Sequence, residues 1–170
     1  MRLHPVEAFS ELFGQAERSA FHLETGDAYD VADENPQLAR YLEGHRDDDY
    51  AWFQSWLSLM RESTNRGVAV SRVRVVTVPL TDYHQWLLSI TPENQRAGED
   101  IRYLARHEAG GIPADDWWLY DDSLVAFNLV DANGTGVGTA TTTDSEIVHY
   151  CRSVKQRLWS SATPFEEFAG

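Results

Sequence analysis

Residues 68–78 read Val-Ala-Val-Ser-Arg-Val-Arg-Val-Val-Thr-Val and are followed by Pro79. β-branched side chains lose freedom against the turns of a helix and pack well on a pleated surface, so this run predicts a strand. The two-residue period puts Val73 and Val75 on one face and Arg72 with Arg74 on the other. Flanking valines imply a covered sheet, and arginine is rarely buried without a carboxylate. The candidate partners are Glu99 with Asp116 or Asp121 on neighbouring predicted elements, and Glu24 or Asp27 from earlier in the chain, with Arg102 and Tyr83 close in the pattern. Two readings follow. One is an ion-pair network under the N-terminal helices; the other is a pocket for an anionic ligand, or a proton-transfer site with Tyr83. The ion-pair reading is preferred.

The remaining periodicities give this strand its surroundings. Val6, Phe9, Leu12, Phe13 and Ala16 recur at helical spacing, with Pro5 suited to a first turn. Residues 33–43 read as a short helix, with Pro36 near its start and Gly44 past its end. Asp47, Asp48 and Asp49 suit a helix start, before the stripe of Trp52, Phe53, Trp56, Leu57 and Met60 and the stop at Gly67. Thr81 is expected to cap a helix carrying Tyr83, Trp86, Leu87 and Ile90, limited by Pro92. Residues 98–104 read as a strand, although Ile101, Leu104 and Ala105 also fit a helix.

Further strands are expected at 117–120 and 124–130, and Asp131-Ala132-Asn133-Gly134 turns into one ending near Thr142. Asp144 caps a last helix with Ile147, Val148, Cys151, Val154 and Leu158 on one face, and the aromatic tail folds back. With no repeat or linker, residues 1–170 form one domain, with a helical part at 1–67 and a sheet-containing part at 68–170. The expected class is α/β: a central mixed sheet of about five strands, N-terminal helices on one face, later helices on the other, and the C-terminal helix packing back.

Charge and residue usage restrict the chemistry. The net charge of −13 disfavours binding a phosphate backbone and would attract a basic partner, although acidity that serves only solubility is the slightly preferred reading. Lys155 is the sole lysine and lies outside any phosphate-loop context, and Cys151 is the sole cysteine, on an apolar helix face. The histidines His4, His22, His45, His84, His107 and His149 lack the paired spacing of metal ligands, and His22-x-Glu24-x-x-Asp27 reads as a local hydrogen-bonded turn. Gly134-Thr135-Gly136-Val137-Gly138 leads into a strand, so it reads as a hairpin loop rather than a dinucleotide site. No catalytic residue, metal site or cofactor is nominated. Met1-Arg2-Leu3-His4-Pro5 lacks an apolar leader and no run reaches membrane-spanning length, so cytoplasmic residence is expected.

The order of motifs resembles a family. Phe9-x-x-x-Phe13, His22-Leu23-Glu24-x-x-Asp27-x-Tyr29, Arg72-Val73-Arg74-Val75-Val76-x-x-Pro79-x-Thr81-Asp82-Tyr83, Gly98-Glu99-x-Ile101-Arg102, Asp116-Trp117-Trp118-Leu119-Tyr120-Asp121 and Trp159-x-x-Ala162-x-Pro164 are similar to the actinobacterial domain-of-unknown-function family 6879. The resemblance implies no activity; it implies a regulatory role beside helix-turn-helix regulators. A distant resemblance to a phospholipase-D-like half domain would imply a non-catalytic descendant, since no His-x-Lys is present. The expected function is a non-enzymatic regulatory or adaptor protein that binds a protein partner, a basic DNA-binding regulator, with no direct nucleic-acid or membrane binding. The alternative is a small-molecule sensor or cryptic enzyme whose pocket uses Arg72, Arg74, Tyr83 and Glu99.

Overall fold

The computed structural model describes residues 1–5, 8–46, 49–132 and 135–170. The expected places of Val6 in the first helix, Asp47 and Asp48 at a helix start, and Asn133-Gly134 in a turn lie outside the described residues. In chain order the elements are β1 (Arg2–His4), α1 (Phe9–Gln15), β2 (Ser19–Glu24), α2 (Asn35–Leu42), a 3-10 turn (Ala51–Phe53), α3 (Gln54–Asn65), β3 (Ala69–Val76), α4 (Asp82–Arg96), β4 (Glu99–Ala105), β5 (Trp117–Tyr120), β6 (Leu124–Val130), β7 (Gly136–Thr142), α5 (Ser145–Ser161), β8 (Thr163–Pro164) and α6 (Phe165–Phe168).

Among the described residues one sheet holds eight strands in the order β1-β7-β6-β5-β2-β3-β4-β8. The α/β class holds, while the expected strand number was too low. β1 and β8 are only two or three residues long, too short for a period to register. β2 lies inside the part expected to be helical, although Phe21-His22-Leu23-Glu24 alternates as a strand does. β2, β3 and β4 run parallel, and every other pairing is antiparallel. Crossovers of helical length join the parallel strands, as parallel pairing requires.

Pleating divides the core. Phe21, Leu23, Val73, Val75, Leu104, Trp117, Leu119 and Val125 face α5, which buries Cys151, Val154 and Leu158 against them. The opposite face takes α1 and α3 through Phe13, Leu57, Met60, Val70 and Trp118. α4 lies on this same side, because its Thr91 meets Arg74. The expectation that the later helices take the other face therefore holds for α5 and not for α4. Pro92 sits inside α4 rather than ending it. Its ring removes one amide donor, and the helix continues to Arg96. The tail folds back as expected, with Phe165 and Phe168 against Tyr103.

Two local features bind helices to strands. Asp144 accepts from the amides of Glu146 and Ile147 and so caps α5 as the sequence indicates. Gly98 turns the chain from α4 into β4 at φ +100, and a Cβ there would lie 2.7 Å from Thr64 Oγ1. Gly98→Ala is thus expected to lower stability by about 1–3 kcal/mol, read as a drop in urea midpoint at unchanged slope. A midpoint equal to the parent's would show that Thr64 simply moves aside. No helix among the described residues is long and apolar enough to cross a membrane.

Candidate functional site

The polar cluster grows from sheet register. Parallel pairing sets His22 beside Arg72 and Glu24 beside Arg74, and on the other side of β3 it sets Val70 beside Glu99 and Arg74 beside Tyr103. Side chains of paired residues share a face, so the polar groups of three strands converge beneath α3 and α4. Arg72 Nη1 donates to Glu24 Oε1 at 2.5 Å, and its Nη2 donates to Glu99 Oε2 at 3.0 Å. Arg74 Nε donates to Glu24 Oε2 at 2.6 Å, while its Nη1 donates to Tyr103 at 2.9 Å and to Thr91 at 3.1 Å. Glu99 Oε1 accepts from Trp56 Nε1 and Asn94 Nδ2, both at 2.7 Å.

Two guanidinium groups thus meet two carboxylates, and the guanidinium of Arg72 also lies 5.5 Å from the rings of Trp56 and Trp118. Arg72 is 7% exposed, Arg74 3% and Glu99 3%. Burial alone would push the Glu24 carboxyl up, but Arg72 and Arg74, helped by His22, hold it far below the ordinary range. Burial would likewise lower the two guanidinium groups, and their anionic and hydroxyl partners raise them instead. His22 stacks on Trp118 with centroids 4.2 Å apart. Burial first, then the two arginines, push its pKa down to about 3 against the pull of Glu24. A neutral ring that accepts the Asn128 amide on Nε2 carries its proton on Nδ1, which lies 3.5 Å from Glu24 Oε1.

A second layer closes one end of this cluster. Asp116 accepts from Thr25 through its amide and hydroxyl and from the Tyr29 hydroxyl at 2.5 Å. Tyr83 donates to Glu34 at 2.7 Å. Burial lifts the pKa of both carboxyls, Asp116 and Glu34, against these hydrogen bonds. Arg106 ties together the ends of β2 and β3: its Nη2 donates to the Thr25 carbonyl at 2.6 Å and to Asp27 at 3.1 Å, and its Nε donates to Thr77.

Of the candidates read from the sequence, Arg72, Arg74, Glu99 and Glu24 form one unit. Tyr83 and Asp116 stand next to it but bond to Glu34 and Tyr29, so neither neutralises an arginine. Asp27 pairs with Arg106 instead. Arg102 points to the opposite face, its guanidinium 3.9 Å from the Trp159 ring. Asp121 is remote: it accepts from the amides of Glu17, Arg18 and Ser19 and fixes the entry to β2. The His22-x-Glu24-x-x-Asp27 segment is a strand end rather than a turn. Of the expected Arg72/Arg74/Tyr83/Glu99 pocket, both guanidinium groups are engaged and covered. Trp56, Thr91, Asn94 and Tyr103 were missed, though Tyr103 follows Glu99 and Ile101 in strict alternation and could have been assigned to this face.

Open space lies at the edge of the cluster and beyond it. A groove of about 670 Å³ is lined by Pro92, Gln95, Arg96, Gly98, Glu99, Asp100 and Glu166, so it reaches the cluster at Glu99. A cleft of about 460 Å³ between α2, the segment after it and α4 is lined by Arg40, Tyr41, His45, Arg46, Tyr50 and Trp86. No three His, Cys, Asp or Glu side chains among the described residues gather as a metal site. Burial raises the Cys151 thiol to about 11, which leaves it a core residue with little thiolate character.

Comparison with known proteins narrows the frame. The family described as "Domain of unknown function (DUF6879)" matches residues 7–170. No curated protein matches the chain. A solved structure described as that of TrmBL2, an archaeal chromatin protein with a novel mode of DNA binding, is similar over 96% of this chain and 55% of its own length, at 13% identity and a TM-score of 0.50. At that identity the likeness concerns the fold alone.

Proposed function

The chain belongs to the DUF6879 family, and we propose that it is a non-enzymatic regulatory or adaptor domain of the cytoplasm that binds a protein partner, a basic helix-turn-helix regulator. The observation that carries this reading is where the charge resides. The buried cluster is matched, two arginines to two glutamates, so the formal −13 is displayed by the rest of the chain. One end of the sheet displays five carboxylates, of which Asp27 is paired with Arg106. Asp27 and Asp30 follow β2, Asp82 follows β3, Asp115 precedes β5 and Asp131 follows β6. The strand directions bring all five to the carboxyl end of the parallel strands, where α/β proteins commonly place their binding loops. Arg106 is there too, but its guanidinium is turned inward to Thr25 and Asp27.

Such an end attracts a basic surface and repels nucleic acid. The DNA binding of the archaeal structural relative is therefore not carried over: a phosphate backbone needs cations, and this chain offers a strongly negative field. A helix-turn-helix regulator, which must meet phosphates with Lys and Arg, would carry the complementary charge. Affinity capture from the native cell tests the proposal. Wild-type protein is expected to enrich a helix-turn-helix regulator at physiological salt and to lose it near about 0.5 M salt, where the screening length falls below about 5 Å. The double variant Asp82→Asn/Asp115→Asn is expected to capture clearly less. Capture of no such regulator, or capture indifferent to both salt and variant, would refute it.

A further inference from the structure

Arg18, Arg72, Arg74, Arg102 and Arg106, on the sheet and its loops, are tied to carboxylates or carbonyls. Arg40 and Arg46 are exposed and have no ion-pair partner among the described residues. Both line the cleft of about 460 Å³ beside α4, so two uncommitted guanidinium groups stand over one concavity of a strongly acidic chain. That volume is within the range of about 300–1,000 Å³ usual for small-molecule sites. Its other walls are aromatic. Tyr41 and Tyr50 are half-buried, and both pack on the cluster formed by Tyr83, Trp86, Leu87 and Ile90.

The backbone adds an independent sign. Tyr50 sits in the left-handed region at φ 51, a strained conformation for a non-glycine residue that recurs at binding sites. It sets the Tyr50 ring against the α4 cluster and on the wall of the cleft. His45 adds a further donor, held 3.9 Å from Glu43. Glu43 and Asp49 are the described acidic residues next to these cations in the chain, and they oppose an anion less closely than Arg40 and Arg46 favour one, because neither lines the cleft.

We infer that this cleft binds a free nucleotide, with phosphate taken by Arg40 and Arg46 and the base set against Tyr41 and Tyr50. Arginine matches phosphate in bidentate geometry, and a flat base matches tyrosine rings. The site is separate from the partner-binding end proposed above and does not depend on it.

Titration with AMP and GMP, read by tryptophan fluorescence from Trp86 and confirmed by calorimetry, tests the inference. At least one is expected to bind saturably with a dissociation constant below about 1 mM. Arg40→Ala/Arg46→Ala is expected to weaken it by about tenfold or more, as is removal of the phosphate in the matching nucleoside. Tyr50→Gly relieves the backbone while deleting the ring, so it should keep the fold and lose binding. Arg61→Ala/Arg152→Ala, exposed elsewhere, should bind like the parent. Absence of saturable binding by both nucleotides, binding unchanged in the double arginine variant, or inorganic phosphate binding as well as the nucleotide would each overturn it.

Discussion

Glu24→Ala is expected to lower the stability of the fold by about 3–5 kcal/mol, the range for breaking a buried ion pair by removing one partner. The size follows from what the carboxylate does. Each oxygen serves a different arginine, Oε1 with Arg72 and Oε2 with Arg74, so its loss leaves two buried guanidinium nitrogens without acceptors. Arg72 keeps Glu99, and Arg74 keeps Tyr103 and Thr91, so both charges remain buried with less compensation. A domain of this kind holds about 5–15 kcal/mol in total, which places the variant near the limit of folding. Glu24→Gln keeps an acceptor and should lose less. Urea unfolding at neutral pH measures both. A loss under about 1 kcal/mol for Glu24→Ala would mean that water replaces the carboxylate and that the cluster is open.

The second large effect is acid sensitivity, and its sign can be worked out group by group. His22 is held neutral by the fold, with its pKa moved from 6.5 to about 3. The unfolded chain takes up that proton near 6.5, so the contribution of His22 is whole above pH 6.5 and is lost progressively toward pH 3. His84 is also lowered, by burial first and then by Arg74, and acts in the same direction. Glu24 is lowered as well, and its contribution is whole above the ordinary glutamate range and disappears only in stronger acid. Asp116 and Glu34 oppose these. Their pKa values are raised by burial, so their contributions are whole below the ordinary carboxylate range and are lost as pH rises through the raised values.

The difference between wild type and His22→Gln isolates one group. Between pH 6 and pH 4 the wild type should lose about 2–3 kcal/mol more than the variant, at about 1.4 kcal/mol for each pH unit across the window. In the folded protein the His22 imidazole should remain neutral by NMR at pH 5. A His22 resonance titrating near 6.5 would contradict the buried, stacked position against Trp118.

Much of the frame was legible from local pattern. The run 68–78 became β3 with Arg72 and Arg74 on one face because alternation is a backbone property that tertiary packing rarely reverses. Thr81 and Asp144 cap their helices as their side-chain chemistry indicates. What escaped was decided at long range. Glu24 was one carboxylate among several until parallel pairing placed it opposite Arg74. Asp121 looked equally suitable, yet its positive φ and its bonds to the amides of Glu17, Arg18 and Ser19 belong to a turn at the other end of the sheet. β2 carries the alternation of a strand at Phe21-His22-Leu23-Glu24, but the pattern does not show that His22 and Glu24 face a buried polar cluster rather than solvent. The cleft carrying Arg40 and Arg46 arises only when α2 packs on α4 and has no signature in the chain.

The central claim is that the arginine pair locks the sheet while partner binding belongs to the acidic end. Its most direct test is capture of the regulator by three proteins at one temperature, chosen low enough that circular dichroism shows all of them folded. These are the wild type, Glu24→Gln, and Asp82→Asn/Asp115→Asn. The account predicts that Glu24→Gln captures the regulator as the wild type does despite a lower urea midpoint, and that the double surface variant loses capture with its midpoint lowered by no more than the loss of the Asp82 charge at the start of α4 allows, about 1 kcal/mol. A folded Glu24→Gln that no longer captures the regulator, beside a surface variant that still does, would contradict it.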